Sequence, residues 1–161
     1  MNPLDTLGLQ ELALRLAIAT IVGGILGLNR ELRGKPAGFR TYAIITLGAA
    51  AITLASLQPS EHGAAPEPSL LGRVVQGILT GIGFLGAGVI LRDEAGNVRG
   101  LTTAAMVFVT AILGILCGLG HWLVVAITTS LVLLVLLCGR AIERMAERLF
   151  GEAKEHDPAK Q

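Results

Sequence analysis

Charge is what this chain has least of. Of its 161 residues only 16% are Asp, Glu, Lys or Arg while 52% are hydrophobic, a balance that departs from soluble averages in the direction lipid exposure selects. Cysteine is scarce as well: Cys117 and Cys138 are the two, and they fall near opposite ends of the last two apolar runs. An antiparallel pair of helices would hold them about 20 Å apart in depth at ~1.5 Å rise per residue, which excludes an intrachain disulfide. No Lys or Arg precedes the first apolar run, where Asp5 and Glu11 stand instead. The basic start of a cleavable signal peptide is therefore missing, and the N-terminus is expected to be retained. No nucleophile has an adjacent base and no His and Cys cluster has metal-ligand spacing, so neither an enzyme nor a nucleic-acid binder is expected. Gly34-Lys35 fails as a phosphate loop, because Pro36 follows where Ser or Thr is required and the first glycine is absent.

What is present is glycine and long oily runs. Glycine accounts for 21 residues without any Gly-X-Y period, which suits helices packed closely in lipid rather than collagen or disorder. The expected fold is all-α, a bundle of five transmembrane helices over residues 1–140, with spans near 9–28, 41–57, 70–91, 101–118 and 122–139. Gly23 and Gly27 form a GxxxG face; Gly114 and Gly118, four apart, form another, and Gly77 and Gly81 belong to the glycine-rich third span. Thr41 is expected to cap the second span, with Phe39 and Tyr42 at interfacial depth and Trp122 opening the last. The tail, 141–161, reads as a short cytoplasmic amphipathic helix, or a continuation of the fifth span, frayed beyond Gly151.

Few ionisable groups fall inside the spans. Glu11 and Arg15 are i,i+4 on one helix face and are expected to pair, with Arg15 either snorkelling to the interface or lining a polar pathway. Arg73 lies toward the outer end of span three. All the Lys and Arg except Arg15 and Arg73 lie in alternate turns or the tail, which sets the chain N-out and C-in by the positive-inside rule. The loop over 58–69, with Glu61, His62 and Glu67, then lies outside as a solvated segment. Spans one and two with their turn resemble spans three and four with theirs, which suggests a parallel repeat about an axis along the membrane normal.

The unusual chemistry collects at the cytoplasmic helix ends. Glu31, Asp93 and Glu94 follow the negative C-terminal ends of spans one and three, while Arg40 and Arg99 flank the positive N-terminal ends of spans two and four. Each placement opposes a helix dipole and costs about 0.3–1 kcal/mol when exposed. Ion pairs across the turns would offset that. So would a hard-oxygen cation site on Glu31, Asp93 and Glu94, for which Mg²⁺ is the suitable ion, and the basic turns would also hold anionic lipid head groups. Asn97, after Gly96, shapes the second turn or serves as a ligand.

Two stretches, NRELRGKPAGFRTYAIITLGAA at 29–50 and GIGFLGAGVILRDEAGNVRGLTTAA at 81–105, resemble the two hallmark blocks of the MgtC/SapB family of bacterial inner-membrane proteins. The resemblance covers nearly all of residues 9–140. It carries over Asn29, Arg30, Glu31, Arg40 and Thr41 in the first block, and Arg92, Asp93, Glu94, Asn97, Arg99, Thr102 and Thr103 in the second. It implies a multi-pass inner-membrane protein linked to growth in low magnesium and, in some members, to virulence. Longer members of that family end in a cytosolic domain; this chain, with about twenty residues after the last span, resembles the short, SapB-like branch. The implied function is regulation of another membrane complex such as the F-type ATP synthase; the GxxxG faces, for their part, suit a homodimer in the bilayer. The alternative is a transporter or channel for Mg²⁺ or another small ion.

Overall fold

The computed structural model describes residues 8–57, 68–92 and 97–151. Among these residues there are five α-helices: α1 (Leu9–Glu31), α2 (Phe39–Ser56), α3 (Pro68–Gly88), α4 (Leu101–Leu119) and α5 (Trp122–Gly151). All five are long and apolar enough to cross a membrane. Glu61, His62 and Glu67 and the chain after Gly151 lie outside the described residues. The helix α5 runs on without a break from the apolar stretch Trp122–Gly139 to Gly151, so the amphipathic segment continues the fifth span. Residues from 127 onward form a unit of their own.

The exposed side is oily. Leu14, Ile21, Ile44, Ile52, Phe84 and Phe108 point outward, while the buried positions are mostly Ala, Gly and Thr. Hydrocarbon removes the incentive to bury leucine, so close backbone approach and dispersion hold the helices together. The core is built from α1, α2 and α4. Across α1 and α2, a Cβ placed on Gly23 would stand 2.5 Å from Tyr42 O, and one on Gly27 would stand 2.7 Å from Gly38 O and Phe39 Cα. Across α2 and α4, a Cβ on Gly114 would lie 2.5 Å from Thr46 O, and one on Gly118 would lie 2.8 Å from Thr53 Cβ. These four glycines are where the helices meet. On α3, by contrast, a Cβ on Gly77 or Gly81 would meet open space. In the single chain, those two glycines take no part in helix packing.

Three threonine hydroxyls inside the core are satisfied locally. Thr46 Oγ1 donates to Tyr42 O at 2.9 Å, Thr53 Oγ1 to Ala49 O at 2.8 Å and Thr110 Oγ1 to Met106 O at 2.6 Å. Each returns to its own helix, the ordinary fate of a hydroxyl in a water-free interior.

Helix ends follow glycine. Gly34 (φ +63°) ends α1 with Gly34 N donating to Glu31 O and Lys35 N to Arg30 O, and Gly120 (φ +78°) ends α4 with the same pattern onto Cys117 O and Leu116 O. A left-handed residue at this place turns the chain away while satisfying the last carbonyls, and glycine adopts it without a Cβ penalty. Between α3 and α4 the described residues of the polar turn form an antiparallel ladder, β1 (Leu91–Arg92) on β2 (Val98–Arg99), with Leu91 opposite Arg99 and Arg92 opposite Val98.

Candidate functional site

Among the described residues Arg30 is the charge the fold buries most deeply. It belongs to the last turn of α1, is 5% exposed, and its Nη2 donates to Thr103 Oγ1 in the first turn of α4 at 2.7 Å. That partner is a neutral hydroxyl, and among the described residues no carboxylate forms an ion pair with Arg30. Tyr42 stands near enough to feel the guanidinium charge, yet neither the Tyr42 hydroxyl nor Arg30 Nε has a hydrogen-bond partner of good geometry. The side-chain oxygen of Asn29, one residue earlier, is likewise buried without a donor. Tyr42 is fully buried among the helices. Gly23 lets α2 come close enough to bring the ring inward.

A cavity of about 470 Å³ opens beside Arg30. Gly34, Lys35 and Pro36 of the first turn form one wall; Val89, Arg99, Gly100, Thr102 and Thr103, from the second turn and the start of α4, form the other. Among the described residues no acidic side chain lines it. Gly100 makes this geometry: its φ is +90°, and a Cβ there would collide with Val89 O. Gly100, at the cap position, brings no side chain of its own to the start of α4, where the first N–H groups lie at the positive end of the helix dipole.

Glu31 faces a second, smaller hollow of about 340 Å³ with Lys35, Arg40 and Thr41. Its Oε2 accepts from Phe39 N at 2.8 Å. The carboxylate thus reaches across the turn to the N-terminus of α2, where a negative charge is favoured, instead of opposing the dipole of its own helix. Thr41 does not cap α2, which begins two residues earlier with Gly38 at the cap position and Glu31 supplying the acceptor.

Among the described residues no three His, Cys, Asp or Glu side chains converge on a metal-sized site. Of the three carboxylates considered for Mg²⁺, Glu31 is committed to Phe39 N and shares its hollow with Lys35 and Arg40, surroundings that suit an anion better than a divalent cation. Asp93 and Glu94 lie outside the described residues. Asn97 and Arg99 are exposed in the second turn. For Arg92 the structure describes the backbone, paired in the ladder.

At the opposite end of α1, Arg15 ion-pairs with Glu11, as the i,i+4 spacing anticipates, and its Nη1 also donates to Gly118 O at 2.7 Å. It therefore neutralises the negative C-terminal end of α4, against whose Gly120 the guanidinium packs closely. The contacts Arg15 to Gly118 and Arg30 to Thr103 belong to one antiparallel register, fifteen residues apart on each helix, about 22 Å at ~1.5 Å per residue. Arg73 is exposed on α3. Three residues of this region escape a reading of sequence: Lys35, Gly100 and Tyr42. Only Gly100 carried a local signal, as the glycine directly before a helix opening on Leu-Thr-Thr.

Five apolar helices, a small-residue core and charged side chains gathered at the helix ends define a multi-pass α-helical membrane protein with polar turns. Comparison with known proteins narrows this. The model of the MgtC family matches residues 16–145. The chain is 39% identical to Protein SrpB of Synechococcus elongatus, over 96% of this chain and 91% of that protein. It is 41% identical to Protein MgtC of Salmonella typhimurium over 86% of this chain, and 37% identical to Protein SapB of Bacillus subtilis over 70%. It covers 55% of that MgtC and 49% of SapB, against 91% of SrpB. No solved structure matches. The chain belongs to the MgtC family.

Proposed function

We propose that this protein is a non-enzymatic regulator that acts on another membrane complex in magnesium or other ion homeostasis, and that it does not itself conduct the ion. What supports the reading is the arrangement along the α1/α4 seam. A guanidinium stands at each end, Arg15 on Gly118 O and Arg30 on Thr103 Oγ1. Between them the hydroxyls of Thr46, Thr53 and Thr110 are spent on their own helices. A divalent cation entering this seam would meet positive charge first, and among the described residues no carboxylate lies between the two guanidiniums to replace its hydration shell.

The site of action is the inner membrane of a bacterium, in keeping with the organisms of its relatives. The basic turns lie on the cytoplasmic side, where Lys and Arg are retained. Exposed apolar faces leave room for a homodimer or for a partner, and the F-type ATP synthase is the first partner to test.

Purified protein in liposomes loaded with a magnesium-sensitive dye tests the transport half. Flux equal to that of empty liposomes is expected, and flux that rises with protein content would favour the transporter instead. For the regulatory half, ATP hydrolysis by inverted membrane vesicles is expected to change when the chain is co-expressed. Unchanged hydrolysis would remove the synthase from consideration.

A further inference from the structure

The cavity between the two turns is built for an anion. Three cationic side chains from three separate elements surround it: Arg30 from the end of α1, Lys35 from the first turn and Arg99 from β2. Arg30 is 5% exposed, has a neutral hydroxyl as its side-chain partner and leaves Nε without an acceptor. A buried guanidinium that no carboxylate among the described residues pairs with favours an anion beside it. The cavity wall also includes Gly100, Thr102 and Thr103 at the start of α4, where the dipole and the first N–H groups attract negative charge. Thr103 Oγ1 accepts from Arg30, which leaves its own proton to give away.

We propose that this cavity binds a phosphoryl oxyanion, with Arg30 as the buried counter-charge, Lys35 and Arg99 closing over it, and Thr102, Thr103 and the α4 N-terminus donating from the other side. Donors converging from several directions suit a tetrahedral, multiply charged group better than a single carboxylate. The volume of about 470 Å³ accommodates such a group with some of its water. Two sources offer the same chemistry: a free phosphate from the aqueous phase, or the phosphodiester of an anionic lipid whose head group lies at this depth. The site stands whether or not the protein regulates a partner, because it rests on the side chains around one cavity.

The test uses the whole chain and two arms. In detergent, inorganic phosphate is titrated at constant ionic strength against chloride and acetate, and the unfolding midpoint and heat of binding are read. In nanodiscs of phosphatidylcholine with or without phosphatidylglycerol, retained lipid is counted by native mass spectrometry. Because Arg30→Gln risks unfolding the core, the deciding variants are Lys35→Gln and Arg99→Gln, both at exposed positions. Each should weaken binding on the order of tenfold, the worth of one charge-assisted hydrogen bond. Phosphate binding lost in these variants assigns the site to a free oxyanion, and selective lipid retention lost in them assigns it to a head group. Binding in neither arm, or binding that both variants leave intact, overturns the proposal.

Discussion

A methyl group placed on Gly114 and, separately, on Gly81 is expected to shift stability by different amounts, although both glycines lie within apolar helices. At Gly114 the new Cβ would stand 2.5 Å from Thr46 O and 2.8 Å from Ala49 Cβ. Carbon atoms in good contact sit about 3.5–4.0 Å apart, so α2 and α4 would have to separate by roughly 1 Å. Thr46 O is backbone and has no rotamer through which to yield. Overpacking of this kind costs about 1–3 kcal/mol. At Gly81 nothing lies within 4 Å, and what remains is the gain of about 1 kcal/mol when alanine replaces glycine inside a helix. That propensity term is common to both variants and cancels, so Gly114→Ala should be less stable than Gly81→Ala by about 1–3 kcal/mol. Titration of micelles with a denaturing detergent, followed by circular dichroism, gives the two midpoints. Equal midpoints would refute the account of the α2/α4 contact. The reverse order, with Gly81→Ala the weaker, would mean that the α3 face packs against another chain.

Further expectations concern the charged helix ends. Arg15→Gln loses the donation to Gly118 O and the pair with Glu11; it should lower stability by about 1.5–3 kcal/mol in the same titration, the range for hydrogen bonds to charged groups. Glu31→Ala removes the acceptor at Phe39 N and should cost about 0.5–2 kcal/mol, as loss of a helix cap does. Glu31→Gln, which keeps an oxygen there, should cost less, and equal losses in the two would argue against the capping role. Gly100→Ala forces a Cβ onto Val89 O at φ +90°. It should destabilise by more than about 1 kcal/mol, and hydrogen exchange is expected to speed up first in residues 97–103.

The helices were legible from one end of the chain to the other because spanning hydrocarbon demands a run of apolar residues whose length is set by the bilayer, and such runs are visible without coordinates. The i,i+4 pair of Glu11 and Arg15 was legible for a similar reason: 3.6 residues per turn places them on one face. Gly23 with Gly27 and Gly77 with Gly81 show where that legibility ends. Both pairs have the same spacing, yet one touches α2 and the other faces open space, since spacing says which residues share a face and nothing about which neighbour that face meets. Glu31 was readable as an acid at the wrong end of α1, but its bond to Phe39 N depends on how the chain turns at Gly34.

Long-range pairing was beyond reach of local pattern for the same reason. Arg15 meets Gly118 and Arg30 meets Thr103 across separations of 103 and 73 residues, and a periodicity of a few residues carries no information over such distances. Composition and run length therefore settle that the chain lives in lipid as five helices, because solvation acts on each residue where it stands. Which arginine is buried, which turn closes over it and where an anion could rest are consequences of packing between segments, and they exist only once α1, α2 and α4 have come together.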